Sequence, residues 1–389
     1  MKHGKFMILL AAAVITLSVA TSGCKQKSSN KLPTMRVTAG AEIPWSKKLP
    51  CTIFFEDDTI SATIHCRGGS SSAYPKHSYA IKLGTKKTLC GLPADNEWIL
   101  NANYIDKTFM RHKLSYDLFR AMGDYNIAAQ SRYLLLDIDG QSKGLYVLMQ
   151  RLDIQSLDID EKDTAAVIFK EPPFLYEQRI VPQEEKNYYQ QIYPKIKKSD
   201  KTTQIEQLRN LIFNASDSLF EKEIEQVFDM RNVVDWQILQ MLTNNSDGQL
   251  KGFYLYRKDS KNPYRFAIWD YDHSFGRDGD GEYNMLDRII DINRSPLIRR
   301  LMLIPSYRQR LATRWQQLRN DDVISVEALS QRIGTMTAEI GEAVKINAEI
   351  WPVDNKFYYD DMDFEAELNV MRQFINLNIN RLDQYFSVN

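Results

Sequence analysis

The reading of this chain turns on residues 244–276, NNSDGQLKGFYLYRKDSKNPYRFAIWDYDHSFG. Upstream, Asp229 is a suitable N-cap for a helix that buries Val233, Val234, Leu239 and Leu242. That helix delivers Asp247 into a loop. Phe253 to Tyr256 and Arg265 to Trp269 then read as two apolar strands joined by a polar turn, which predicts a hairpin. The second strand ends at Asp270, and Asp272 stands two residues further on. Two carboxylates therefore flank one hairpin. In an extended segment Asp270 and Asp272 face opposite ways, so only a turn lets both reach one metal.

Working outward, residues 34 to about 104 are strand-like: Thr52–Phe55, Ser61–Ile64, Tyr79–Leu83 and Trp98–Leu100 are β-branched or apolar runs bounded by turn residues. The pattern changes at Asp106, read as an N-cap, with Met110, Leu114, Leu118 and Met122 at spacing four and Gly123 as a stop. Tyr133–Ile138 and Gly144–Met149 read as a hairpin around Asp139-Gly140. Residues 175–225 predict helices with loops, and residues from 296 onward are helical with a break at Trp351-Pro352. The fold class is α+β, mainly β over about 34–170 and mainly helical over about 171–389. The Asp/Gly-rich run at 278–282 reads as a solvated turn.

Lys2 and Lys5 precede an apolar run, Phe6–Ala20, of signal-peptide length and too short to span a bilayer. Thr21-Ser22-Gly23-Cys24 then resembles a bacterial lipobox. The expectation is a lipoprotein signal peptide over 1–23, a lipid anchor on Cys24, a polar tether to residue 33, and one domain over 34–389 in the cell envelope. An uncleaved N-terminal anchor is the rival. With 50 basic and 50 acidic residues, the chain lacks the basic surplus of a nucleic-acid binder. Cys51, Cys66 and Cys90 allow at most one intramolecular bridge. Cys51 and Cys66, on strands that can pair, are one option, and a set of ordinary buried thiols is the other.

The carboxylates suggest metal-assisted phosphate chemistry. Protein kinases flank a hairpin with one Asp that orients the acceptor hydroxyl and a second that holds Mg²⁺ on the nucleotide phosphates. Magnesium is hard and takes carboxylate oxygen, which accounts for Asp rather than His at these positions. Asp at turns also has a purely structural use. A calcium loop fails on register: from Asp270 the sixth and twelfth positions are Phe275 and Gly281, where Gly and Glu are needed. A second cluster, Arg67-Gly68-Gly69-Ser70-Ser71-Ser72 followed by Tyr74-Pro75-Lys76, can aim amides and hydroxyls at phosphate. Lys82 on the following strand is the expected phosphate lysine, with Lys170 as its rival. No Walker A or Gly-x-Gly-x-x-Gly motif is present.

Four ordered blocks carry a family resemblance. They are Arg67–Ser71 with Tyr79–Leu83, Trp98–Arg111, Gly144–Leu148 and Trp269–Gly276. Together they resemble the CotH family of atypical protein kinases. The resemblance implies a distorted kinase-like fold and transfer of phosphate from ATP, with Mg²⁺ or Mn²⁺, to Ser or Thr of a protein of the cell envelope. It implies Asp247 as the catalytic aspartate, Asp270 with Asp272 at the metal, and Lys82, Arg67, Ser70, Ser71 and Lys170 at the nucleotide. Asp106 and Arg111 read equally well as a structural ion pair. Three positions depart from the pattern: Gly252 replaces a metal-binding Asn, Gln150 a Glu, and Gly69 an Asn. Asn244 and Asn245 are candidates to replace the lost ligand. The second reading is a catalytically silent scaffold or binding lipoprotein.

Overall fold

The computed structural model describes Met1 and residues 31–177, 186–245, 247–277, 285–353 and 362–388. The signal peptide, Cys24, most of the tether and the 278–282 turn lie outside the described residues. Leu32–Asn389 form one compact unit.

Strict alternation builds a barrel. In β3 (Asp58–Arg67), Ile60, Ala62, Ile64 and Cys66 are buried while the residues between them face outward. Its neighbours are β1 (Thr34–Thr38), β2 (Leu49–Phe55), β4 (Ser78–Lys87), β5 (Asp95–Asn101), β6 (Ser131–Ile138) and β7 (Gln141–Gln150). They close in the order β1-β2-β3-β4-β5-β7-β6, sealed by the parallel pairing of β1 with β6. Closure leaves no free edge. Ile53, Ile64, Ile81, Trp98, Leu136 and Leu148 fill the interior. The β6–β7 turn places both Asp139 and Gly140 at positive φ (52° and 79°), as a two-residue hairpin turn of this hand requires.

Strand β7 is buried on both faces, so Leu145–Met149 reads as a continuous apolar run. Tyr146 and Leu148 point into the barrel; Leu145, Val147 and Met149 join a second core. That core is shared by helices α1 (Arg111–Met122), α4 (Met230–Thr243), α6 (Pro305–Asn320), α7 (Val326–Ile350) and α8 (Phe364–Val388). It also holds a four-stranded sheet in the order β11 (Arg265–Ile268), β10 (Phe253–Arg257), β8 (Val167–Lys170), β9 (Gln191–Tyr193). Helices α2 (Thr202–Phe213), α3 (Asp217–Val227) and the short α5 (Pro296–Leu301) complete it. The α+β class holds, with the barrel N-terminal and the helices C-terminal. Strands β9, β10 and β11 nevertheless lie beyond residue 170; β9 and β10 pair with β8 and β11 with β10, so the strands and helices interleave past that boundary.

Two expectations need correction. Helix α1 begins at Arg111, because the Asp106 carboxylate first accepts from Thr108 N and Thr108 Oγ1 (3.1 and 2.6 Å) and only then from Arg111 N at 2.9 Å. It caps the helix from across a tight turn. No Cys51–Cys66 bridge forms: Cys51 sits opposite Ala62 and Cys66 opposite Tyr79, and all three described cysteines are free. Burial pushes the thiols of Cys51 and Cys90 up to about 11 and about 12, which keeps them neutral. Among the described residues no helix is long and apolar enough to cross a membrane.

Candidate active site

Helix α4 is buried over almost its whole surface and rigidly aimed; Asp229 caps its start by accepting from Arg231 N. Asn244, at φ 55°, ends it in the left-handed conformation usual for such a stop. The chain then turns into the loop carrying Asp247. Asn245 fastens this loop to the far side of the hairpin: its Oδ1 accepts from Gly248 N and its Nδ2 donates to the carbonyl of Asp270, both at 3.1 Å. At Gly252 (φ 73°) the two segments touch. Its carbonyl accepts from Trp269 N at 2.8 Å, and a Cβ there would lie 2.9 Å from the Trp269 carbonyl oxygen.

Asp247 and Asp270 thereby line one cleft of about 380 Å³. That is the size of a small-molecule site. Arg67, Ser70, Ser71, Lys170 and Asp272 line it too. Gly68 (φ 142°), two residues before the Ser70–Ala73 turn, takes a backbone conformation that favours glycine. The Arg67 guanidinium lies 5.8 Å from the centre of the Trp269 ring. Asp247 is ion-paired with Lys251 at 2.8 Å, and both side chains are about half exposed.

Asp270 takes φ 61°, the turn that lets it and Asp272 share a direction. His112, from the first turn of α1, joins them: ligand atoms of His112, Asp270 and Asp272 lie within 4.8 Å of one another. His112 Nε2 is 3.6 Å from Asp270 Oδ1. Tyr116, one turn along α1, places its ring edge-on to His112 and accepts from Asp270 N. Asp272 Oδ1 is buried without a hydrogen-bond donor. The packed surroundings work to raise the Asp270 carboxyl, although its side chain is 58% exposed to the cleft, and His112, His273 and Lys170 hold the group low. Burial and then the neighbouring Asp270 push the Asp272 carboxyl up. Burial opposes the charge on His112, yet the neighbouring Asp270 and Asp272 carboxylates raise it above its usual value. Two carboxylates and one imidazole thus share one wall of the cleft. His112 corrects the expectation that only oxygen donors gather here.

Lys82 is not in the cleft. Ile81 and Leu83 occupy the inward positions of β4, so Lys82 faces solvent, where it pairs with Glu97 at 2.7 Å. Neither Asn244 nor Asn245 lines the cleft: Asn244 donates through Nδ2 to Arg288 O and Asn245 spans the backbone as described. Gln150 Oε1 accepts from Gln130 N, away from the site. Beyond His112, sequence reasoning missed Lys251, Glu171 and Lys76, all of which line the cleft. Lys76 is buried and donates to the carbonyls of Ala102 (2.9 Å) and Leu145 and to Asn347 Oδ1 (2.9 Å). Those three bonds use every ammonium proton, so it fastens the barrel to α7 and has none left for a phosphate. No local signal separates Lys76 from Lys82 in the sequence.

Behind the site lies a buried charge network. Arg111 pairs with Asp106 (2.6 Å) and with Glu367 of α8 (3.0 Å), and Glu367 pairs with Arg277 (2.8 Å). Every member is at most 4% exposed. Arg111 Nε also donates to Ser274 O at 2.9 Å, fixing the loop that follows Asp272. The Asp106–Arg111 pair is structural.

A family model described as CotH kinase protein matches residues 64–382. Inner spore coat protein H of Bacillus subtilis (strain 168) is 24% identical over 246 residues, covering 62% of this chain and 66%, just under two thirds, of that protein's length.

Proposed function

The chain belongs to the CotH kinase protein family, and from that premise we propose that it is an ATP-dependent protein Ser/Thr kinase with a distorted kinase-like fold. The observation that carries the reading is the meeting of Asp247, Asp270, Arg67 and Lys170 in one cleft. Asp270 and Asp272 hold Mg²⁺ or Mn²⁺. The Asp272 oxygen, buried without a hydrogen bond, and the close-set carboxylates fit such an ion. The bound metal–nucleotide supplies neutralised, aligned phosphates, which is most of what phosphoryl transfer asks of a site.

Asp247 accepts or orients the proton of the acceptor hydroxyl, with Lys251 steadying its carboxylate at the half-exposed mouth of the cleft. Arg67 and Lys170 supply positive charge to phosphate oxygens, and Ser70 and Ser71 offer hydroxyls from the glycine-led turn. Lys82 takes no part. The acceptor is a protein of the cell envelope, since the expected signal peptide and Cys24 lipid anchor place the domain there.

A second reading, a silent scaffold of the same fold, is favoured by one observation: Gly252 offers no side chain where kinases carry a metal-binding Asn. Residues 32–389 with labelled ATP and Mg²⁺ or Mn²⁺ separate the two. Phosphate incorporation that vanishes in Asp247→Ala and Asp270→Ala supports the kinase. No incorporation, with no nucleotide-dependent rise in thermal stability, leaves the scaffold.

A further inference from the structure

We propose that His112 is a nitrogen ligand of the metal held by Asp270 and Asp272, and that it biases the site toward first-row transition divalent ions such as Mn²⁺ over Mg²⁺. The inference rests on the metal-binding half of the proposed function and adds a donor of another chemical kind.

Three observations carry it. His112 is 7% exposed and its ring is held in place, with Nε2 3.6 Å from Asp270 Oδ1 and the Tyr116 ring edge-on at 5.7 Å between centroids. The residue beside it, Arg111, is anchored by two buried carboxylates and the Ser274 carbonyl, so the first turn of α1 cannot swing away without breaking that network. Finally, Asp272 Oδ1 is buried without a hydrogen bond, its neighbour His273 Nε2 standing 3.8 Å off, and the His112, Asp270 and Asp272 ligand atoms lie mutually within 4.8 Å. Two carboxylates and one imidazole make a mixed oxygen–nitrogen set. Magnesium gives up water reluctantly and takes oxygen ligands in dedicated sites. First-row transition ions accept imidazole readily, so the nitrogen donor discriminates by type rather than by charge. A merely structural histidine paired with Asp270 would add no such preference.

The test uses residues 32–389, the compact unit, with MnCl₂ and MgCl₂ as probes. Electron spin echo spectra of the gel-filtered Mn²⁺ complex are recorded with natural-abundance and ¹⁵N-histidine protein. The expected result is nitrogen modulation that changes frequency on ¹⁵N labelling and disappears in His112→Asn. By calorimetry, His112→Asn lowers Mn²⁺ affinity at least about tenfold, a loss seen even for outer partners of metal ligands, while Mg²⁺ affinity moves much less. Modulation indifferent to the histidine label overturns the proposal, and so does an equal loss for both metals. Because His273 Nε2 lies 3.8 Å from Asp272 Oδ1, the labelled spectrum of His273→Asn, which should keep the modulation, assigns the nitrogen to His112 even if His112→Asn does not fold; loss of the modulation in His273→Asn overturns the proposal. Adding ATP separates this idea from the kinase reading. Histidine modulation without ³¹P coupling keeps the nitrogen ligand and removes the nucleotide site. Phosphorus coupling without histidine modulation keeps the kinase and removes His112.

Discussion

Changing Glu367 to Gln tests whether the buried charge network, rather than local loop preference, holds the acidic loop in place. The network balances two guanidiniums, Arg111 and Arg277, against two carboxylates, Asp106 and Glu367, all at most 4% exposed. The substitution keeps the volume and one acceptor but removes the buried carboxylate that Arg111 and Arg277 share. Breaking such a pair costs about 3–5 kcal/mol; the retained amide acceptor puts this case near 3. With a urea dependence of about 3 kcal/mol per M, the upper end for small proteins, the unfolding midpoint drops by about 1 M. Glu365→Gln, two residues away and exposed, is the control and changes stability by less than about 0.5 kcal/mol. Urea melts of residues 32–389 followed by tryptophan fluorescence read both variants. A midpoint within about 0.3 M of the parent for Glu367→Gln, or an equal drop in Glu365→Gln, refutes the reasoning.

Metal affinity should fall as pH is lowered from about 8 toward about 5, well above the ordinary carboxylate range. Burial and Asp270 raise the Asp272 carboxyl and the two carboxylates raise His112, so protons compete with the ion for both donors as pH falls; Mn²⁺ titrations across that range measure it. Lys82→Ala should leave stability within about 0.5 kcal/mol and nucleotide affinity unchanged, because its pair with Glu97 is exposed. Lys170→Ala should weaken nucleotide binding about tenfold or more, the loss of one charge-assisted hydrogen bond, as read by fluorescent-nucleotide titration. Intact mass after non-reducing alkylation in denaturant should show Cys51, Cys66 and Cys90 all modified, since no described cysteine is bridged.

Much of the fold was legible because its signals are local. The β6–β7 hairpin follows from Asp139-Gly140, which supplies two positive φ angles, and α4 from the Asp229 cap. What escaped is what distant pairing decides. Nothing near Thr34 announces that β1 will lie parallel to β6 and close a barrel, and nothing in Val167–Lys170 names β10 as its partner. The misplaced Lys82 shows the limit of reading a motif without its strand phase: one inward register for Ile81 and Leu83 is enough to send the lysine to solvent. His112 was illegible for a different reason. It stands between Arg111 and Lys113 in a run that resembles a solvated face, and only the buried network turns that face inward.

Gly252 carries the argument furthest. By sequence it is a lost ligand. In the fold its φ of 73° and its 2.8 Å bond from Trp269 N bring the Asp247 loop against the strand end that bears Asp270, and Asn245 adds a second tie to the Asp270 carbonyl. An Asn at 252 would put a Cβ 2.9 Å from the Trp269 carbonyl oxygen, so a side chain there would push apart the two acids it was meant to assist. The position sets the spacing of the carboxylates through the backbone. On the proposal above, the third donor comes instead from α1 as His112, anchored by its neighbour Arg111. Gly252→Asn should accordingly lose stability, by about 1–3 kcal/mol for a strained left-handed residue, and gain no metal affinity. Tighter Mn²⁺ binding in that variant would show that the site lacked a ligand it had room for.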